Sequence, residues 1–111
     1  MSTRVKICGI RTSDALDAAL EAGADLVGLV LYPKSPRNVS LDEAAALAAR
    51  VREHGGAEVV TLLVDPDDAL VEAVAETIKP DLIQLHGHET PARVEAVRKS
   101  SGLRILKAVP V

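Results

Sequence analysis

Short aliphatic and β-branched runs alternate along the chain with longer alanine-rich segments whose apolar residues recur every three or four positions. The pattern reads β-α-β-α-β-α-β-α-β. The first run, Val5 to Cys8, is stopped by Gly9; Thr12 or Ser13 then caps a helix that places Leu16, Ala19 and Leu20 on one face and ends at Gly23. Leu26 to Leu31 is the second strand. It runs into Tyr32-Pro33-Lys34-Ser35-Pro36-Arg37-Asn38-Val39, the longest connection, in which two prolines and several polar residues exclude regular structure. Ser40 and Glu43 form a capping-box pair that opens a helix to about Glu53, and Gly55-Gly56 closes it. Val59 to Val64 is the third strand, Asp67 to Ile78 the third helix, and Leu82 to Leu85 the fourth strand beyond Pro80. Thr90, followed by proline at the first helical position, opens a helix to about Lys99; Gly102 releases it into a fifth strand, Leu103 to Val109.

Strand-to-strand spacing of roughly 21 to 33 residues fits βαβ crossovers and a parallel sheet, so the fold class is α/β. Five such strands admit an open doubly wound sheet of the flavodoxin type or the front of a (β/α)8 barrel, which needs roughly 200 residues or more. A complete open sheet would follow its last strand with a covering helix, whereas the pattern here stops at Val111 just after an apolar run. The expectation is therefore a partial (β/α)8 barrel of about five parallel strands and four helices. Residues 1–111 are then the N-terminal part of one barrel domain whose C-terminal units are missing.

Composition narrows the function classes. The 111 residues are 48% hydrophobic and 26% charged, as in an ordinary globular protein. A net charge of −3 provides no basic field for nucleic acid, and no apolar run approaches the roughly 20 residues that span a bilayer. One cysteine forms no internal disulfide and no signal peptide precedes the first strand, so a cytoplasmic location is expected. Tyr32 is the only aromatic residue, so the core is built from Leu, Ile, Val and Ala.

Polar side chains in strands buried on both faces are costly unless they line a site. Strand periodicity puts Lys6 and Cys8 on one face of the first strand and Gln84 and His86 on one face of the fourth, while Lys107 breaks the aliphatic run of the fifth. Three strands are thus expected to aim polar groups the same way. Cys8 lies at the C-terminal end of its strand, the end where barrels carry their chemistry, although a lone strand cysteine also serves as a packed small hydrophobe. Lys6 and Lys107 are read as structural or electrostatic, with a Schiff-base aldolase using Lys107 as an alternative. His86-Gly87-His88-Glu89 lacks the further ligands of a metal site, and His86 is read instead as a hydrogen-bonding wall residue. Arg37, in the long loop, could bind a carboxylate bidentately or stand solvated.

Four motifs occur in order: Val5-Lys6-Ile7-Cys8-Gly9-Ile10, Gly23-Ala24-Asp25, Tyr32-Pro33-Lys34-Ser35-Pro36-Arg37 and Gln84-Leu85-His86-Gly87-His88-Glu89. Together they resemble the phosphoribosylanthranilate isomerases of tryptophan biosynthesis over essentially the whole chain. The resemblance implies a (β/α)8 barrel that converts N-(5-phosphoribosyl)anthranilate into 1-(2-carboxyphenylamino)-1-deoxyribulose 5-phosphate by an Amadori rearrangement, without metal or cofactor. It implies Cys8 as the general base and Arg37 as the anchor of the anthranilate carboxylate, with Lys6, Gln84 and His86 lining the substrate pocket. The partner implied is a small phosphorylated molecule.

Two departures accompany the resemblance. Leu29, Leu31 and Leu63 stand where the family usually has phenylalanines, which is expected to change packing against the anthranilate ring. The family's general acid, an aspartate ending the sixth strand, and its phosphate-binding backbone beyond the seventh and eighth have no counterpart in the motif series. The chain alone is accordingly expected to turn over negligibly and to self-associate through open barrel edges. The non-enzyme alternative is a complete five-stranded open-sheet binding module.

Overall fold

A computed structural model describes residues 5–107. The strands are β1 (Lys6–Cys8), β2 (Leu26–Val30), β3 (Glu58–Leu63), β4 (Leu82–Leu85) and β5 (Arg104–Lys107); the helices are α1 (Ser13–Glu21), α2 (Leu41–His54), α3 (Asp68–Ala73) and α4 (Pro91–Ser101). Each helix starts at a side-chain oxygen that satisfies an otherwise unpaired backbone N–H. The oxygens of Thr12, Asp67 and Thr90 accept from Ala15, Leu70 and Arg93. Ser40 and Glu43 bond reciprocally as the expected capping box.

All strands pair in parallel in the order β1-β2-β3-β4-β5. A flavodoxin-type sheet reverses its order and sends helices to both faces; with right-handed crossovers an unreversed order sends every helix to one face. Accordingly α1 packs on α2, α2 on the segment after α3, and α3 on α4. Between sheet and helices lies one apolar layer, with Val27, Leu29, Val59, Leu63, Ile83 and Leu85 from the strands and Leu16, Leu47, Val51, Val71 and Val97 from the helices. The sheet is also curled. On a flat sheet β1 and β4 would stand about 14 Å apart, yet the Lys6 ammonium donates to Gln84 Oε1 across the concave face. Farther down that face Arg104 pairs with Glu58 across β4. Order and curvature together overturn the open-sheet module.

Two aspartates repeat one device. Asp25 donates its N–H to Val5 O and accepts the Val5 N–H on its carboxylate; Asp81 does the same to Val59. In each case the residue just before an even strand clasps the start of the preceding odd strand.

Two elements differ from the sequence reading. The third helix is not α-helical throughout: after Ala73 it widens into a π-helical turn, Val74–Ile78, closed by Lys79 N–H to Val74 O. Pro80 disfavours a helical Lys79, which takes a left-handed φ of 53°. The Arg52 guanidinium, from the end of α2, satisfies the Ile78 and Lys79 carbonyls thus left over. The fifth strand begins at Arg104, and Ala108 and Val109 of its expected span lie outside the described residues. No helix among the described residues is long and apolar enough to cross a membrane.

Candidate active site

Parallel pairing brings the C-terminal ends of all strands to one rim of the curled sheet. A cleft of about 460 Å³ opens there, with Cys8 from β1, Val30 from β2 and Leu62 from β3 in its floor. Tyr32 and Arg37 of the loop after β2 and His86 after β4 stand around it. A larger groove of about 650 Å³ between α3 and α4 lies on the helical side, away from the strand ends. Among the described residues it is the rim cleft that gathers a thiol, a guanidinium and an imidazole.

Cys8 is partly exposed and directly faces Gly28, its register partner on β2. A Cβ at Gly28 would lie 2.9 Å from the sulfur, so the thiol occupies space that only glycine leaves free. Beyond Cys8, Gly9 turns the chain at φ +86° and donates its N–H to Gly28 O at 3.0 Å. That turn makes room for Arg37, since a Cβ on Gly9 would come within 3.2 Å of its Cγ and Nε and closer still to its Cδ. The loop arginine therefore lies along the backbone of the residue after the cysteine.

The loop itself is more ordered than its prolines imply. Ser35 accepts from Arg37 N–H through its hydroxyl and from Asn38 N–H through its carbonyl, and Val39 N–H returns to Val30 O at 2.9 Å. A short parallel bridge joins Asn38 to Val30. Arg37 is thus presented from a closed turn seated on the end of β2. No side chain among the described residues takes up its guanidinium, which is exposed at the rim.

Of the residues singled out from sequence, Cys8, Arg37 and His86 meet at the cleft. Lys6 and Gln84 lie on the same concave face and are joined to each other by the hydrogen bond already described. Lys107 does not join them. It pairs in register with Leu85, on the strand face turned to the helices, and its ammonium donates to Glu89 Oε1 and Gly87 O, both at 2.6 Å. With its charge held by a carboxylate, away from the cleft, Lys107 is a structural residue and the Schiff-base alternative falls. Leu29, Leu31 and Leu63 also belong to the apolar layer against the helices, so they do not pack against a ligand in this cleft.

Sequence reasoning gave Glu89 and Asp65 no role in the site. Glu89 is only 8% exposed and accepts from Asp65 N–H, Gly87 N–H and Lys107. Burial would raise its pKa, but the Lys107 ammonium and the backbone N–H donors outweigh burial and hold it below the ordinary carboxylate range. Asp65 sits at φ 44° and accepts the His88 N–H at 2.8 Å. Nothing local marked Glu89 as buried.

The model of the family N-(5'phosphoribosyl)anthranilate (PRA) isomerase matches residues 5–111. The chain belongs to the phosphoribosylanthranilate isomerase family. It is 54% identical over 111 residues to the N-(5'-phosphoribosyl)anthranilate isomerase of Azorhizobium caulinodans and 52% identical to that of Paramagnetospirillum magneticum. The matched region is all of this chain but 48% and 51% of those proteins, so the chain spans about half their length. Among solved structures, a phosphoribosylanthranilate isomerase in complex with reduced 1-(o-carboxyphenylamino)-1-deoxyribulose 5-phosphate superimposes at a TM-score of 0.90 with 31% identity, over 99% of this chain and 55% of the other. The isomerase of Thermus thermophilus superimposes at 0.86 with 32% identity, over 98% and 52%.

Proposed function

We propose that residues 1–111 are the base-bearing part of a single-domain (β/α)8 phosphoribosylanthranilate isomerase acting in tryptophan biosynthesis. The observation that carries this reading is the placement of Arg37 along Gly9, in the strand-end cleft that Cys8 also lines. The reaction needs a base at one carbon and a cation fixing the aromatic carboxylate a few ångströms away, and the cleft offers that pair.

The substrate is N-(5-phosphoribosyl)anthranilate, a small phosphorylated molecule. Once its furanose ring has opened to the protonated Schiff base, the Cys8 thiolate takes the proton from C2. The C2–H electron pair becomes the C1–C2 double bond and the C=N electrons return to nitrogen, giving an enolamine. Ketonisation moves the C2 hydroxyl proton away and adds one at C1, so the sum is an isomerisation with no redox change. Arg37 holds the anthranilate carboxylate through its two parallel N–H donors, and His86 walls the cleft opposite. Lys6 and Gln84 brace the floor below Cys8. The general acid that opens the ring and the phosphate anchor belong, in the family's strand order, to strands six to eight, so turnover calls for those units as well. The reading places the enzyme in the cytoplasm.

The test is a fluorescence assay of phosphoribosylanthranilate consumption, made on this chain joined to the C-terminal half of the Azorhizobium caulinodans relative. Isomerisation is expected, and Cys8→Ala lowers kcat by about 10²- to 10⁴-fold. Retention of activity within about threefold in Cys8→Ala would remove Cys8 from the role of base.

A further inference from the structure

We propose that Glu89 is a positioning residue of the cleft: its buried carboxylate gathers the turns after β3 and β4 and so sets where Val64 and His86, which line the cleft together with Cys8 and Arg37, stand. Three observations converge on it. Both Gly87 peptides are pinned, the N–H by Glu89 at 3.0 and 3.2 Å and the carbonyl by Lys107 at 2.6 Å. His86 N–H is held by Leu63 O at 3.0 Å, so the backbone on both sides of the His86 Cα is fixed although the residue is solvent-exposed. Asp65, just after Val64, is kept in a left-handed conformation by donating to Glu89 Oε2 at 2.8 Å and accepting from His88. Left-handed backbone is unfavourable for a residue other than glycine and persists where surrounding contacts over-determine it.

The two turns also interlock. A Cβ on Gly87 would lie 2.7 Å from the Asp65 carboxylate, so the turns close against each other with no spare room. Among the described residues the groups bonded to the Glu89 carboxylate are all donors: backbone N–H groups, those of Asp65 and Gly87 among them, and the Lys107 ammonium. An ionised carboxylate, with two oxygens and about four lone-pair sites, meets them all; a glutamine amide offers one oxygen and turns an NH2 group toward donors. Replacing Glu89 by Gln therefore opposes donor to donor at the point where the turns meet. Lys107, which an aldolase reading would make chemical, is the counter-charge that keeps this carboxylate ionised.

The consequence for catalysis rests on the isomerase reading, but the placement of the turns does not, and two measurements separate them. In the full 111-residue chain, Glu89→Gln is expected to speed amide hydrogen exchange at Asp65 and Gly87 about tenfold or more, and to shift the His86 ring resonances, with Val51 in α2 unchanged. Unchanged exchange at Asp65 and Gly87 would overturn the proposal. In the chain joined to the Azorhizobium caulinodans C-terminal half, Glu89→Gln is expected to raise KM for phosphoribosylanthranilate about tenfold or more, with kcat changed less. A merely structural role would lower the active fraction, and with it kcat, leaving KM in place; that result also overturns the proposal. Should Glu89→Gln fail to fold, Glu89→Gln with Lys107→Met removes the unpaired ammonium and is read against the same two criteria. If the unmutated fusion does not isomerise, the isomerase reading fails by itself, and the exchange measurement decides the role of Glu89.

Discussion

Replacing Gly9 by Ala tests the contact on which the functional reading rests. The added methyl meets two separate penalties. Gly9 sits at φ +86°, where an L side chain is strained by about 1–2 kcal/mol. The Cβ would also come within 3.2 Å of Arg37 Cγ and Nε, so Arg37 must leave its rotamer or its place, at about 0.5–1.5 kcal/mol. Together Gly9→Ala should cost about 1.5–3.5 kcal/mol, a fall in Tm on the order of 10 °C for a chain of this size. A double-mutant cycle with Arg37→Ala separates the two: without Arg37 only the backbone strain remains, so the coupling energy from urea unfolding should be about 0.5–1.5 kcal/mol. In the active fusion, Gly9→Ala should raise KM with kcat less affected, because the anchor moves and the base does not. A coupling energy near zero would mean that Arg37 does not rest on Gly9, and the carboxylate anchor would then have to be sought elsewhere.

Other expectations follow from single contacts. Gly28→Ala drives a methyl to 2.9 Å from Cys8 Sγ and 3.1 Å from Cys8 Cα, so it should cost about 1–3 kcal/mol and slow thiol alkylation by iodoacetamide; faster alkylation would contradict the packing. Thr61 is fully buried on the helix side of β3, and its hydroxyl has no hydrogen-bond partner among the described residues. The nearly isosteric Thr61→Val should therefore stabilise the fold by about 1–2 kcal/mol in urea unfolding, and a loss of stability would reveal a partner for that hydroxyl. Glu89 has a folded pKa below its unfolded one, so its stabilisation is fully present above the unfolded carboxylate value of about 4.3 and is lost as pH falls through the lower folded value. Asp17, Glu43 and Glu95 shift the same way but are solvent-exposed and screened, so Glu89→Gln should remove most of the decline in Tm between about pH 5 and 3; an unaltered slope would remove Glu89 as its source. The 111-residue chain alone is expected to self-associate through its sheet edges, where Leu106 is 44% exposed, and sedimentation as a monomer at all concentrations would count against this.

Much of the fold was legible because its signals are local. A cap needs one side-chain oxygen three residues from an N–H, and Thr12, Ser40 with Glu43, and Thr90 with Pro91 mark the helix starts within a residue. The motif series around Cys8, Arg37 and His86 likewise pointed to the family and to residues that meet at one cleft. The π-helical turn was not legible, since Val71, Val74 and Ile78 keep ordinary helical spacing and the widening depends on the carbonyl acceptors that Arg52 satisfies from another helix.

What the sequence by itself determined are the elements, their parallel α/β order and the family motifs, all carried by periodicity, caps and turns within a few residues of chain. Only the tertiary structure decided which side of the sheet each residue serves. Strand periodicity separates Ile105 and Lys107 from Arg104 and Leu106, but which pair meets the helices depends on the register of β5 against β4. That register turned Lys107 away from the cleft and buried Glu89 beside it. Likewise the place of Arg37 is set by a glycine 28 positions earlier in the chain, whose missing side chain leaves the space the arginine fills.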